Sequence, residues 1–156
     1  MPRIQSLYAS GKLPAPISQG ADVVALHYEC AVPASGDGTV VNDLIEMGPL
    51  PAGHVPLDFI LSATDLDTGA AAHAVSFGLL NAGKTDLSTD AADGGAVWAS
   101  AVVVGQAGTM VRNTGVVPFA VLPSTANRSL AFKVTTASAT KAAGTIRCTV
   151  FVKAAP

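Results

Sequence analysis

His54-Val-Pro-Leu-Asp-Phe-Ile-Leu-Ser-Ala63 alternates along its length. Val55, Leu57, Phe59 and Leu61 fall on one side, while His54, Pro56, Asp58 and Ser62 share the other with Ile60. Successive side chains of an extended chain point to opposite faces, so this pattern predicts a strand with one buried and one wet face. Pro56 has no N–H to offer a ladder, which predicts a sheet edge or a bulge at that point.

Working outward, the same period of two recurs. Val24, Leu26, Tyr28 and Cys30 oppose Val23, Ala25, His27 and Glu29. His73, Val75, Phe77 and Leu79 repeat it, as do Leu130, Phe132 and Val134 against Lys133 and Thr135. The last such segment sets Ile146, Cys148, Val150 and Val152 against Thr145, Arg147, Thr149 and Lys153. Thr39–Met47, Val97–Val104 and Thr109–Leu122 are weaker, the last interrupted by Gly115 and Pro118. Turn-forming clusters separate these segments at Pro33–Gly38, Gly48–Gly53, Asp65–Gly69, Asn81–Gly95 and Pro123–Asn127. No stretch holds a 3.6-residue period with caps. The prediction is an all-β domain over residues 21–154, a jelly roll or β-sandwich of about eight antiparallel strands, with an up-and-down barrel as the alternative.

Residues 1–20 lack either period. Pro2, Pro14 and Pro16 and isolated apolar residues Ile4, Leu7, Tyr8, Leu13 and Ile17 describe an extended N-terminal arm. Fully stretched, it reaches roughly 65 Å. Apolar side chains on such an arm would face water unless they lie on a neighbour. Ile4, Leu7, Tyr8 and Leu13 are therefore candidate protein contacts. Lys84 and Leu87 join them, because the loop Asn81–Gly95 is longer than a turn requires.

A chain of 156 residues suits one domain, burying about 70% of its unfolded surface. Apolar residues make up 49% and charged residues 13%. That is about half the usual charged share, and a surface so poor in charge suits permanent cover by partners. The net charge is −2 with pI near 5.8, and the basic residues are scattered, so no footprint for nucleic acid is present. The apolar runs are too short for a membrane-spanning helix. Residues 1–20 hold no apolar core of a secretory signal, which implies synthesis in the cytoplasm. Cys30 and Cys148 each fall on the apolar side of a strand and read as small buried hydrophobes.

Catalytic, cofactor and metal motifs fail one by one. Gly78-Leu-Leu-Asn-Ala-Gly83-Lys84-Thr85 matches a phosphate-binding loop, in which backbone amides and the Lys hold phosphate and the Thr holds magnesium. That chemistry needs a helix straight after the loop. Asp86, Asp90, Asp93 and the Gly94-Gly95 pair leave no room for one and would repel an anion. Asp65-Leu-Asp67-Thr68-Gly69 resembles the start of a calcium loop but lacks the third acid and the later Glu; it reads as a tight turn. His27, His54 and His73 lie outside metal-site spacing and read as solvated or hydrogen-bonded surface side chains. Asn127-Arg128-Ser129 matches a glycosylation acceptor, but without a secretion signal it carries no weight. No Gly-x-Ser-x-Gly elbow is present. The expectation is a protein that is no enzyme and holds no cofactor.

Four segments in order carry a resemblance. They are Ile45-Glu-Met-Gly-Pro-Leu-Pro-Ala-Gly53; the alternating strand to Leu61 with Asp65-Leu-Asp67-Thr68-Gly69; Val75-Ser-Phe77-Gly78-Leu79; and Asn127-Arg128-Ser129-Leu130 leading to Ala139-Thr140 and a closing strand after Gly144. Over roughly residues 40–153 the chain resembles the small head-decoration, or cement, proteins of tailed bacteriophages. The resemblance implies a jelly-roll fold and a homo-oligomer, dimer or trimer, on the capsid exterior. It also implies that the protein clamps neighbouring major capsid subunits, with no catalytic residues and no nucleic-acid or membrane partner. Another virion module of baseplate or fibre type, or a carbohydrate-binding sandwich, is the alternative. Trp98, Tyr8 and Tyr28 are too few and too dispersed for a sugar platform.

Overall fold

A computed structural model of the chain describes residues 3–13, 22–69, 73–106 and 109–155. Nine strands are found there: β1 (Arg3–Gln5), β2 (Val24–Val32), β3 (Leu44–Leu50), β4 (His54–Ala63), β5 (Ala74–Leu79), β6 (Ala99–Val103), β7 (Met110–Arg112), β8 (Arg128–Thr136) and β9 (Gly144–Ala154). They form two sheets, ordered β1-β3-β8-β5-β6 and β2-β9-β4-β7. The antiparallel pairs β2–β9, β3–β8, β4–β7 and β5–β6 are those of one long ribbon folded back on itself. Rolling that ribbon brings β4 against β9 and β5 against β8, which is jelly-roll connectivity. The all-β sandwich predicted from the alternation is the observed architecture, and two separate sheets replace the alternative barrel.

The inner faces meet in one core. Although aromatics are only 5% of the chain, they are concentrated. Phe77 lies 4.9 Å from Phe132, 5.5 Å from Phe59 and 5.7 Å from Trp98 between ring centroids. Tyr28 closes one end, its hydroxyl donating to the Pro49 carbonyl at 2.7 Å. Its ring lies so close to Gly48 that a Cβ there would fall 2.7 Å from Tyr28 Cε1, so the Met47-Gly48-Pro49 stretch needs its glycine for this approach.

Several boundaries move for identifiable reasons. β3 starts at Leu44 rather than Thr39, because the Asp43 carboxylate accepts the N–H groups of Gly38, Thr39 and Val40 and holds them in a turn. Only Met110–Arg112 of the predicted Thr109–Leu122 strand is extended; Pro118 instead helps to start a 3₁₀ turn at Val117–Ala120. β4 matches its predicted span and carries the bulge that Pro56 implied, between Pro56 and Asp58. A bulge reverses the alternation. Phe59, Leu61 and Ala63 are buried beyond it, but before it the buried residues are His54 and Pro56. Val55 and Leu57 therefore do not share a face with Phe59 and Leu61, contrary to the reading of an unbroken period.

Within the N-terminal segment, Arg3–Gln5 pairs in parallel with Leu44–Glu46, a strand that the sequence did not reveal. Residues 6–13 continue in turns held by bonds such as Ser10 N–H to Ser6 O and Lys12 N–H to Leu7 O. Ile17, Pro14 and Pro16 lie outside the described residues.

Candidate interaction surface

The two sheets differ on their outer faces. All six residues of β5 and six of the seven in β3 are buried, although a half-wet strand predicts every second one exposed. The long loop after β5 folds over this sheet, where Leu87, Leu80 and Val97 pack on Leu44 and Ala131 in a second small core. Asn81 Oδ1 accepts the N–H groups of Thr85 and Asp86 and shapes the turn at its tip.

Under this loop lies Glu46, whose side chain is 1% exposed. It receives Lys84 Nζ on one oxygen, and Arg3 Nη1 at 3.2 Å and Gln5 Nε2 at 2.9 Å on the other. Burial acts to raise its pKa, but hydrogen bonds from Lys84, Ser129 and Gln5 outweigh that and hold it below its ordinary value. Glu46 thus ties β1 to the long loop. It sits between Ile45 and Met47 as an ordinary wet-face residue would, and nothing in the sequence separates it from one. Lys84 is committed to this carboxylate and no helix follows Thr85, so the phosphate-loop match is a surface turn.

The other sheet keeps its outer face open. Ala25, His27, Glu29 and Ala31 of β2 are exposed there, and Val55 and Leu57 with Phe119, Val121, Pro123, Lys153 and Ala155 line a groove of about 500 Å³ at one end. Beside it stand the most exposed apolar side chains of this region: Val116 at 78%, Phe119 at 60% and Leu122 at 58%. The segment that carries them is tied down. Arg128, at the start of β8, donates to Asp93 Oδ1 and to Leu122 O, each at 2.8 Å, and to Ala92 O at 3.2 Å. Leu122 N–H donates to Ala92 O at 2.9 Å, and Asp93 bridges to Val121. Holding apolar groups rigid in water lowers the ordering cost of a later contact.

The six predicted contact residues divide. Ile4 and Tyr8 pack on the core, Tyr8 edge-on to Tyr28 at 4.9 Å. Leu7 and Leu13 are 53% and 41% exposed and line a recess of about 390 Å³ with Glu29, Cys30 and Ala31. Leu87 is buried in the second core and Lys84 is paired with Glu46, so both serve to hold the loop down.

Two histidine readings are corrected. His54 is buried, with its Nδ1 2.9 Å from Ala52 O. His73 is buried too: Ser138 Oγ donates to Leu66 O and so accepts from His73 Nδ1, both at 3.1 Å. Burial lowers the pKa of His73, and nearby Asp67 only partly offsets it. His27 is exposed and bonds Thr149 Oγ1 at 2.8 Å. Asp67 receives N–H groups from Gly69, Ala139 and Thr140, which makes Asp65–Gly69 a loop fastener. Among the described residues no three His, Cys, Asp or Glu side chains are placed to hold a metal ion. Cys30 and Cys148 are buried free thiols, as expected, and burial pushes Cys30 up to about 11.

The comparison with solved structures bears on this fold and surface together. One chain from the capsid of Ralstonia phage GP4 superposes with a TM-score of 0.80 at 31% identity, covering 99% of each chain. The chain belongs to a family of bacteriophage capsid proteins. A chain from the capsid asymmetric unit of cyanophage Pam1 also matches, at 25% identity and a TM-score of 0.62, over 92% of this chain and 93% of that one. No protein-family model and no curated protein matches. Family membership makes this a structural protein of a phage particle, and it agrees with a site built of apolar contacts and clamped loops.

Proposed function

We propose that this capsid-family protein is a decoration protein that binds the outside of the assembled shell and clamps adjacent major capsid subunits. The observation that carries the reading is the trio Val116, Phe119 and Leu122, exposed on a segment that Arg128 fastens at Leu122, beside an otherwise open sheet face. A contiguous apolar patch held in place on a small domain marks a protein-binding site. Leu7 and Leu13 on the N-terminal arm form a second contact, made with capsid or with sister subunits. The described part of the N-terminal segment is anchored to the sandwich through β1 and Tyr8 and presents Leu7 and Leu13 for contact. A protein that binds only the expanded shell stabilises that state by mass action, and no catalytic group is required.

The test is co-sedimentation with expanded and with immature capsids. Wild-type protein is expected on the expanded form alone, and Phe119→Asp is expected to lose that binding while melting normally. Equal binding by Phe119→Asp would remove this surface from the reading, and absence of wild-type binding to any capsid would end it.

A further inference from the structure

Sheet edges expose unpaired backbone groups, and proteins usually blunt them with short strands, bulges, prolines or lysines. Three of the four edge strands here are short: three residues in β1, five in β6 and three in β7. β2 is different. It runs for nine residues, Val-Ala-Leu-His-Tyr-Glu-Cys-Ala-Val, in unbroken register with β9 and without proline, lysine or bulge.

Its free side can be assigned. Thr145 N–H donates to Thr64 Oγ1 and Thr145 O accepts Thr64 N–H, so the odd-numbered residues of β9 face β4. The even-numbered ones face β2, where Ile146, Cys148, Val150 and Val152 oppose Cys30, Tyr28, Leu26 and Val24. The outward backbone groups of β2 therefore belong to Ala25, His27, Glu29 and Ala31, the residues whose side chains are exposed. Among the described residues, no backbone bond outside the paired strands reaches them, and Ala31 O accepts only a long 3.6 Å contact from Cys30 Sγ.

We infer that β2 is the face on which a second copy of this chain docks, antiparallel about a two-fold axis through Tyr28, joining two four-stranded sheets into one. An isologous contact requires a self-complementary strand, and β2 meets that condition in one register. Centring on Tyr28 sets His27 opposite Glu29 of the other copy twice, and Ala25 opposite Ala31 twice. Centring on Glu29 would oppose two carboxylates, and centring on His27 would leave both glutamates facing alanine. A hydrogen-bond donor directly across from a carboxylate stabilises pairing, and like charges oppose it. His27 uses Nδ1 on Thr149, which leaves Nε2 to donate to the facing carboxylate of Glu29, whose partner within its own chain, Arg147 Nε, stands at a long 3.5 Å. Exposed Val23 would come beside Ala31 of the other copy, near the recess walled by Leu7 and Leu13.

This assigns a surface to the self-association within the proposed function and rests on that reading only for its biological setting. Sedimentation equilibrium should find the full-length protein dimeric at micromolar concentration. Glu29→Lys should raise the dimer dissociation constant by about tenfold or more, and adding His27→Glu, which sets a carboxylate across from the new ammonium, should recover most of the loss. Ala25→Pro, which removes only an outward N–H, should also give monomer with an unchanged melting curve. The Ala25→Cys, Ala31→Cys double variant should cross-link under mild oxidant while neither single variant does, because paired Cα atoms sit about 5.5 Å apart. A monomeric wild type, an oligomer indifferent to Glu29→Lys, or a double variant that does not cross-link would overturn the inference. Capsid binding of the wild type, measured separately, reports on the proposed function. A β2-paired dimer that ignores capsids would leave this inference standing and sink that reading.

Discussion

The sheet holding β3, β8 and β5 and the sheet holding β2, β9 and β4 share one core but treat their outer faces in opposite ways. In the first, β3 and β5 are buried on both sides, roofed by the chain's own loop through Leu87 and Lys84. The second keeps its outer face and its long β2 edge open, with Phe119, Val116 and Leu122 fixed at one end. A small domain poor in charge has apolar surface to cover. Here one side is covered internally, and the other is left in a form suited to an external partner.

Four experiments would break or sharpen this contrast. The largest effect belongs to the core common to both sheets. Phe77→Ala removes a ring that touches Phe59, Trp98 and Phe132, and should cost about 3–5 kcal/mol in urea unfolding.

Next comes the roof. Leu87→Ala should cost about 2 kcal/mol, and amide exchange should speed up in residues 81–95 while β2 and β9 keep their protection. Uniform loss of protection would mean that roof and core are one unit.

Acid should act in two windows. The folded pKa of His73 is depressed, so its contribution is present above its ordinary value of 6.5 and is lost as pH falls below it, the unfolded chain taking the proton first. Glu46 and Asp86 are also depressed, so their contributions are present above 4.5 and 3.8 and are lost as pH falls further. Burial works against both carboxylates, and bonds from Lys84 to Glu46 and from Lys133 to Asp86 outweigh it. Urea midpoints from pH 8 to pH 3 should therefore decline in two stages, and Glu46→Gln should flatten the lower one.

The smallest effect is expected on the open side. Phe119→Ser should change unfolding free energy by no more than about 0.5 kcal/mol. A larger loss would show that Phe119 supports the fold and is not held free for a partner.

Much of the fold was legible because a period of two is a local property. β4 matched its predicted bounds, and β2, β5, β8 and β9 lay within two residues of theirs at most ends. Pro56 announced its bulge. What the period could not announce was the reversal that the bulge imposes, which buried His54 and turned Val55 and Leu57 outward. The surface was less legible. Arg128 drew notice only as part of a glycosylation match, yet it fastens the apolar segment through partners 36, 35 and 6 residues away.

By itself the sequence determined the class of the fold and most of its strands, because alternation and turn chemistry act between near neighbours. Only the tertiary structure decided which outer face is roofed, where Glu46 finds its cations and which strand keeps a free edge. Those outcomes depend on contacts between residues far apart in the chain, and a residue pattern along one strand carries no record of what will fold over it.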